Sequence, residues 1–134
     1  MRTLLWLDDI RNPHDGNWLI FSPIDQPFTV KWVKSHGAFC AYINRHGLPD
    51  AICFDHDLGG DVAIEKREKG MSKHQARKER IGTPTGMDCA KFLVDYCIDK
   101  DVDVPMYGIQ SANPVGKENI DGLLKGYIKF RQNK

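Results

Sequence analysis

The chain has 134 residues, the usual size of one domain, and is expected to bury roughly two thirds of the surface its unfolded form exposes. Its 19 Lys and Arg against 18 Asp and Glu leave the net charge near zero, so the total supplies no electrostatic reason to expect nucleic-acid binding. The 41% apolar fraction is that of a globular protein, and no run approaches the ~18 apolar residues of a membrane span.

The apolar stretch at the N-terminus is short and meets Asp8 too early for a signal peptide. Residues 4–7 form an unbroken apolar run ended by Asp8 and Asp9. Four apolar residues without alternation read as a central strand buried on both faces. Asn12-Pro13 breaks the chain. Residues 14–27 carry turn chemistry at Asp15-Gly16, Ser22-Pro23 and Gln26-Pro27, and read as an irregular loop with Trp18, Ile20 and Phe21 tucked back onto the body. Residues 28–33 alternate apolar with polar side chains up to Trp32, the pattern of a more exposed strand. From Ser35, Phe39, Tyr42 and Ile43 recur at helical spacing until Gly47 stops the helix.

Residues 51–54 are a second buried run, again ending in acid at Asp55-His56-Asp57, before Leu58-Gly59-Gly60 turns the chain. Residues 61–82 are almost entirely polar and charged, so they read as a peripheral insertion, either solvated surface or a basic arm over a phosphate-containing ligand. Thr83-Pro84-Thr85-Gly86 leads into a helix with Met87, Ala90, Phe92, Leu93, Val94, Cys97 and Ile98 on its apolar face and Asp88 in its first turn. Residues 105–109 form a third short inner strand. Ile120, Leu123, Leu124, Tyr127 and Ile128 then follow the i, i+3, i+4, i+7, i+8 spacing of a helix that packs one face on the sheet. Cys40, Cys53, Cys89 and Cys97 lack metal-ligand spacing and read as reduced, buried thiols, consistent with a cytoplasmic protein.

The fold class expected is α/β: a single minimal three-layer sandwich over residues 1–134, built on a four-stranded, mainly parallel sheet. In such sheets the residues just past the strands' carboxyl ends converge in one crevice. Asp8, Asp9, Asp55 and Asp57 then become neighbours. They are either a site for a hard oxygen-seeking cation, Mg²⁺ with Mn²⁺ as a substitute, or caps and turn residues. His56 between two acids is either a proton carrier or a packed side chain. Ser111 and Asn113 follow the third inner strand into the same crevice, and the helix opening at Pro114 offers backbone N–H groups to a phosphate. Lys117 adds a charge there or is a surface lysine; Arg11 forks onto phosphate or pairs with the aspartates.

Four motifs in order carry a resemblance: Leu5-Trp6-Leu7-Asp8-Asp9-Ile10-Arg11-Asn12-Pro13, Phe54-Asp55-His56-Asp57-Leu58-Gly59, Thr85-Gly86-Met87-Asp88, and Ser111-Ala112-Asn113-Pro114-Val115-Gly116-Lys117-Glu118-Asn119-Ile120. They resemble the cyclic-phosphate processing receiver-like family of bacteria and phages, itself similar to response-regulator receiver domains. The receiver's acidic pair, aspartate and Ser/Thr correspond to Asp8-Asp9, Asp55 and Ser111, while its fifth strand with a lysine has no counterpart. The resemblance implies metal-dependent hydrolysis of a cyclic phosphate on a nucleotide or RNA end. Many members of the family it resembles carry histidine just before the Ser-Ala-Asn-Pro run, where this chain has Gln110. If that histidine is the acid or base, proton transfer falls to His56. The other reading is a non-catalytic receiver-like module, of phage or bacterial origin, that binds a nucleotide or a protein. Oligomeric state is left open.

Overall fold

The computed structural model describes residues 2–56, 58, 85–111 and 113–133. Asp57 and the charged segment 61–82 lie outside them. Four strands, β1 (Arg2–Leu7), β2 (Phe28–Val33), β3 (Ala51–Phe54) and β4 (Met106–Ile109), form an all-parallel sheet in the order β2-β1-β3-β4. Three helices are found among the described residues: α1 (His36–His46), α2 (Gly86–Lys100) and α3 (Pro114–Gln132).

The unalternating runs of β1 and β3 are central strands, as their composition requires. Leu4, Leu5, Trp6, Leu7 and all of Ala51–Phe54 have no exposed surface. Successive side chains point to opposite faces. Leu5, Leu7, Ile52 and Phe54 join the cluster formed by all three helices, through Phe39 and Ile43 of α1, Leu93 and Cys97 of α2, and Ile120 and Leu124 of α3. Leu4, Trp6, Ala51 and Cys53 face the other way, against Trp18, Leu19, Ile24 and Phe28. Each large side chain buried in this way contributes about 1.5–3 kcal/mol.

Handedness explains the asymmetry. The steps β2 to β3 and β3 to β4 advance in one direction across the sheet, so right-handed crossovers place α1 and α2 on one face. The step β1 to β2 runs backwards, and its connection must cross the opposite face. Among the described residues the third layer is therefore the connection of residues 8–27, with a 3₁₀ turn at Trp18–Phe21, rather than a layer of α-helices.

Local chemistry sets the helix ends. Ser35 accepts a hydrogen bond from the Ala38 amide, and Gly47, at φ 80°, closes α1. Thr85 and Asp88 form a reciprocal capping box at the start of α2. Asn113 Oδ1 accepts from the Gly116 amide at the start of α3.

Four expectations need correction. β4 stands at the end of the sheet order with Met106 58% exposed, not as an inner strand, because nothing among the described residues pairs beyond it. Ile98 and Ile20 are exposed: helix rotation carries the first off the core face, and the 3₁₀ turn points the second outward. Cys53, Cys89 and Cys97 are buried and free, whereas Cys40 is only half-buried. Among the described residues no helix is long and apolar enough to cross a membrane.

Candidate functional site

Register brings the acids together. β1 and β3 pair in parallel with Trp6 opposite Cys53, so both strands end level with each other. The Asp55 amide donates to the Leu7 carbonyl at 3.0 Å, and the Asp8 amide donates to Val33 at 3.1 Å. Asp8, Asp9 and Asp55 leave the sheet side by side, buried, with one carboxylate oxygen of each within 4.8 Å of the others.

The loop after β1 folds back over these acids. Asp8 Oδ1 accepts from the backbone amides of Ile10 and Arg11, at 3.0 and 2.9 Å. Asp8 Oδ2 accepts from Arg11 Nη1 at 3.2 Å, and the same nitrogen lies 3.7 Å from Asp55 Oδ1. Two indoles pin the main chain. Trp32 Nε1 donates to the Asp8 carbonyl at 2.7 Å, and Trp6 Nε1 donates to the Arg11 carbonyl at 2.9 Å. The Arg11 guanidinium lies over the Trp18 ring, 5.2 Å from its centre.

Two helix N-termini close the other side. The Gly86 amide donates to the His56 carbonyl at 2.8 Å, and a Cβ at Gly86 would stand 1.9 Å from the Asp55 carbonyl oxygen. Only a residue without a side chain lets α2 approach the end of β3 this closely. A Cβ at Gly116 would stand 2.3 Å from the His56 ring, so the imidazole rests on the first turn of α3. His56 Nδ1 and Asn113 Nδ2 are 3.5 Å apart, the outer limit of a hydrogen bond. Ser111 Oγ accepts from the Asn113 amide at 3.1 Å.

The structure thus gathers Asp8, Asp9, Asp55 and Arg11 in one group, and His56 and Asn113 in a second beside Ser111. Asp55 and His56, consecutive in the chain, join the two. Lys117 starts from the same helix turn, its amide bonded to the Asn113 carbonyl, with an exposed side chain. Asp57 lies outside the described residues.

Arg11 pairs with Asp8 and Asp55, one of the two roles its position offered, and the unforeseen part is the aromatic support around it. Its signal was present, because Trp6 and Trp32 both fall on the non-helical face by strand alternation. The placement of Gln110 has no signal in local spacing. Gln110 is buried; its Nε2 donates to the Leu7 carbonyl at 2.9 Å, across β3, and its Oε1 has no hydrogen-bond partner among the described residues.

Oxygen donors from three carboxylates suit a hard cation, and Arg11 is an ion-pair partner of two of them, Asp8 and Asp55. Asp8, Asp9 and Asp55 could hold such an ion.

A family model described as "Cyclic-phosphate processing Receiver domain" matches residues 3–126. No curated protein matches the chain. A solved structure titled as the yeast Spc42 trimeric coiled coil, amino acids 181–211, fused to another structure is similar in fold. It is 15% identical, with a TM-score of 0.53, over 98% of this chain and 79% of that one. The family match spans most of the sequence, and the chain belongs to the cyclic-phosphate processing receiver domain family.

Proposed function

From that membership we propose that the protein hydrolyses a cyclic phosphodiester, on a nucleotide or an RNA end, with Mg²⁺ held by Asp8, Asp9 and Asp55 and with Mn²⁺ able to replace it. The observation that carries this reading is the convergence of three buried carboxylates beside an arginine, with the first residue of α2 packed on the Asp55 main chain. When bound, the cation would polarise the phosphoryl group and lower the pKa of a water molecule. Arg11 binds the non-bridging oxygens as a planar fork. Ser111, Asn113 and the backbone amides at the start of α3 orient the phosphoryl group, and Lys117 adds positive charge at that end. His56, resting on Gly116, carries the proton transfer: it takes a proton from the attacking water as the new P–O bond forms and returns it to the ring oxygen released when the cyclic P–O bond breaks. A five-membered cyclic phosphate is strained, so few groups suffice to open it.

Turnover of a nucleoside 2′,3′-cyclic phosphate, measured with Mg²⁺, with Mn²⁺ and with chelator, tests the reading. Metal at a hundred times its dissociation constant should stabilise the wild type by about 2.7 kcal/mol, and Asp8→Asn with Asp55→Asn should abolish that gain. Equal metal binding by the double variant would refute the site. Gln110 favours a second reading, a module that binds without turnover, because it stands where many members of the family carry histidine and its amide is buried against Leu7. Tight nucleotide binding in chelator with no turnover would establish that alternative.

A further inference from the structure

Arg11 is seated among the groups assigned to the cation. Both lone-pair positions of Asp8 Oδ1 are taken by the amides of Ile10 and Arg11. A cation that uses Asp8 must therefore come to Oδ2, the oxygen already bonded to Arg11 Nη1 at 3.2 Å. The same nitrogen reaches toward Asp55 Oδ1 at 3.7 Å, so the guanidinium bridges the carboxylates that end two neighbouring strands. The face of Trp18 completes this seat. The main chain beneath it is held separately, by the Arg11 amide on Asp8 Oδ1 and by Trp6 Nε1 on the Arg11 carbonyl. The side chain, 25% exposed, can leave its seat while its base stays fixed.

Building on the proposed metal-dependent reading, we infer that Arg11 is a tethered counter-cation that competes with the divalent ion for Asp8 and Asp55, and that metal binding frees it to grip the phosphate. Two cations drawn to one carboxylate oxygen repel each other at short range, and the crevice lessens screening by water. Arg11 thus offsets the buried carboxylates while no metal is bound and becomes a phosphate ligand afterwards. This orders the two ligands: metal first, phosphate second. By linkage, phosphate must strengthen metal binding by the same factor as metal strengthens phosphate binding.

The competing role reverses the sign expected of a residue that merely supports the site. Calorimetric titration with Mn²⁺, without phosphate, should show Arg11→Ala and Arg11→Gln binding the metal at least fivefold more tightly than wild type. The same variants, loaded with Mn²⁺, should bind inorganic phosphate at least tenfold more weakly. Arg11→Lys keeps the charge and should bind Mn²⁺ within about threefold of wild type. Trp18→Leu removes one wall of the seat without touching a carboxylate, and should tighten Mn²⁺ by a smaller factor than Arg11→Ala. Equal or weaker Mn²⁺ binding by both neutral Arg11 variants, with their melting intact, would overturn the inference and leave the metal site standing. Absence of Mn²⁺ binding by wild type and every variant would remove the metal-dependent reading itself, and this inference with it.

Discussion

Replacing Gly86 with alanine probes the contact that joins helix packing to the site. A Cβ there would lie 1.9 Å from the Asp55 carbonyl oxygen, 2.8 Å from its carbonyl carbon and 2.9 Å from the His56 Cα, all of them main-chain atoms. No side chain can rotate to relieve this. A carbon normally stands about 3.3 Å or more from an oxygen, so α2 or the end of β3 must retreat by roughly 1.4 Å. That movement breaks the 2.8 Å bond from the Gly86 amide to the His56 carbonyl. Overpacking costs about 1–3 kcal/mol and the lost hydrogen bond about 1, so destabilisation should be roughly 2–4 kcal/mol. For a domain of this length the melting temperature should fall by roughly 6–20 °C. Gly126→Ala is the control, because its Cβ would meet nothing within 4 Å inside the same kind of element. It should gain about 0.5–1 kcal/mol from helix propensity alone. Urea and thermal unfolding, followed by circular dichroism, measure both. A Gly86→Ala protein that melts at or above wild type would refute the close approach of α2 to Asp55, and with it the placement of His56.

The remaining expectations concern buried polar groups. Burial pushes the Cys53 thiol up to about 12 and the Cys97 thiol up to about 11, and raises Cys89 as well, from an ordinary value of about 9. Unfolded thiols release protons from about pH 9 while the folded ones keep theirs to about 11–12. The unfolded state then binds fewer protons, so stability should be level below pH 9, fall as pH rises above it, and flatten once the folded thiols ionise. A urea midpoint unchanged from pH 8 to 11 would contradict this. At pH 8 a thiol reagent should label half-buried Cys40 first in the native protein and the other three only on unfolding. Gln110→Met should change stability by less than about 1 kcal/mol. It removes an Oε1 that has no partner among the described residues, along with one bond to the Leu7 carbonyl, which keeps the Asp55 amide as a donor. A loss above 3 kcal/mol would show that the amide does more than fill the gap.

Much of this protein was legible in local pattern. Unbroken apolar runs marked β1 and β3 because a strand buried on both faces has no polar side to show. Ser35, Gly47 and Thr85 marked helix ends because their side chains, or the lack of one, satisfy backbone groups within a few residues. Acids at the ends of two apolar runs pointed to a shared crevice, since parallel strands finish on the same edge. Tertiary structure decided what distant segments do to one another. Among the described residues, the end position of β4 and a third layer made by the connection of residues 8–27 follow from strand order and crossover handedness, neither of which is written in the period of any single segment. Gln110 reaches the carbonyl of Leu7, 103 residues away, only because β3 lies between their strands. Arg11 sits on Trp18 between Asp8 and Asp55 because a backward crossover returns its loop over the open face. Local spacing names the groups that can meet; register and handedness, which act across the whole sheet, set the distances at which they do.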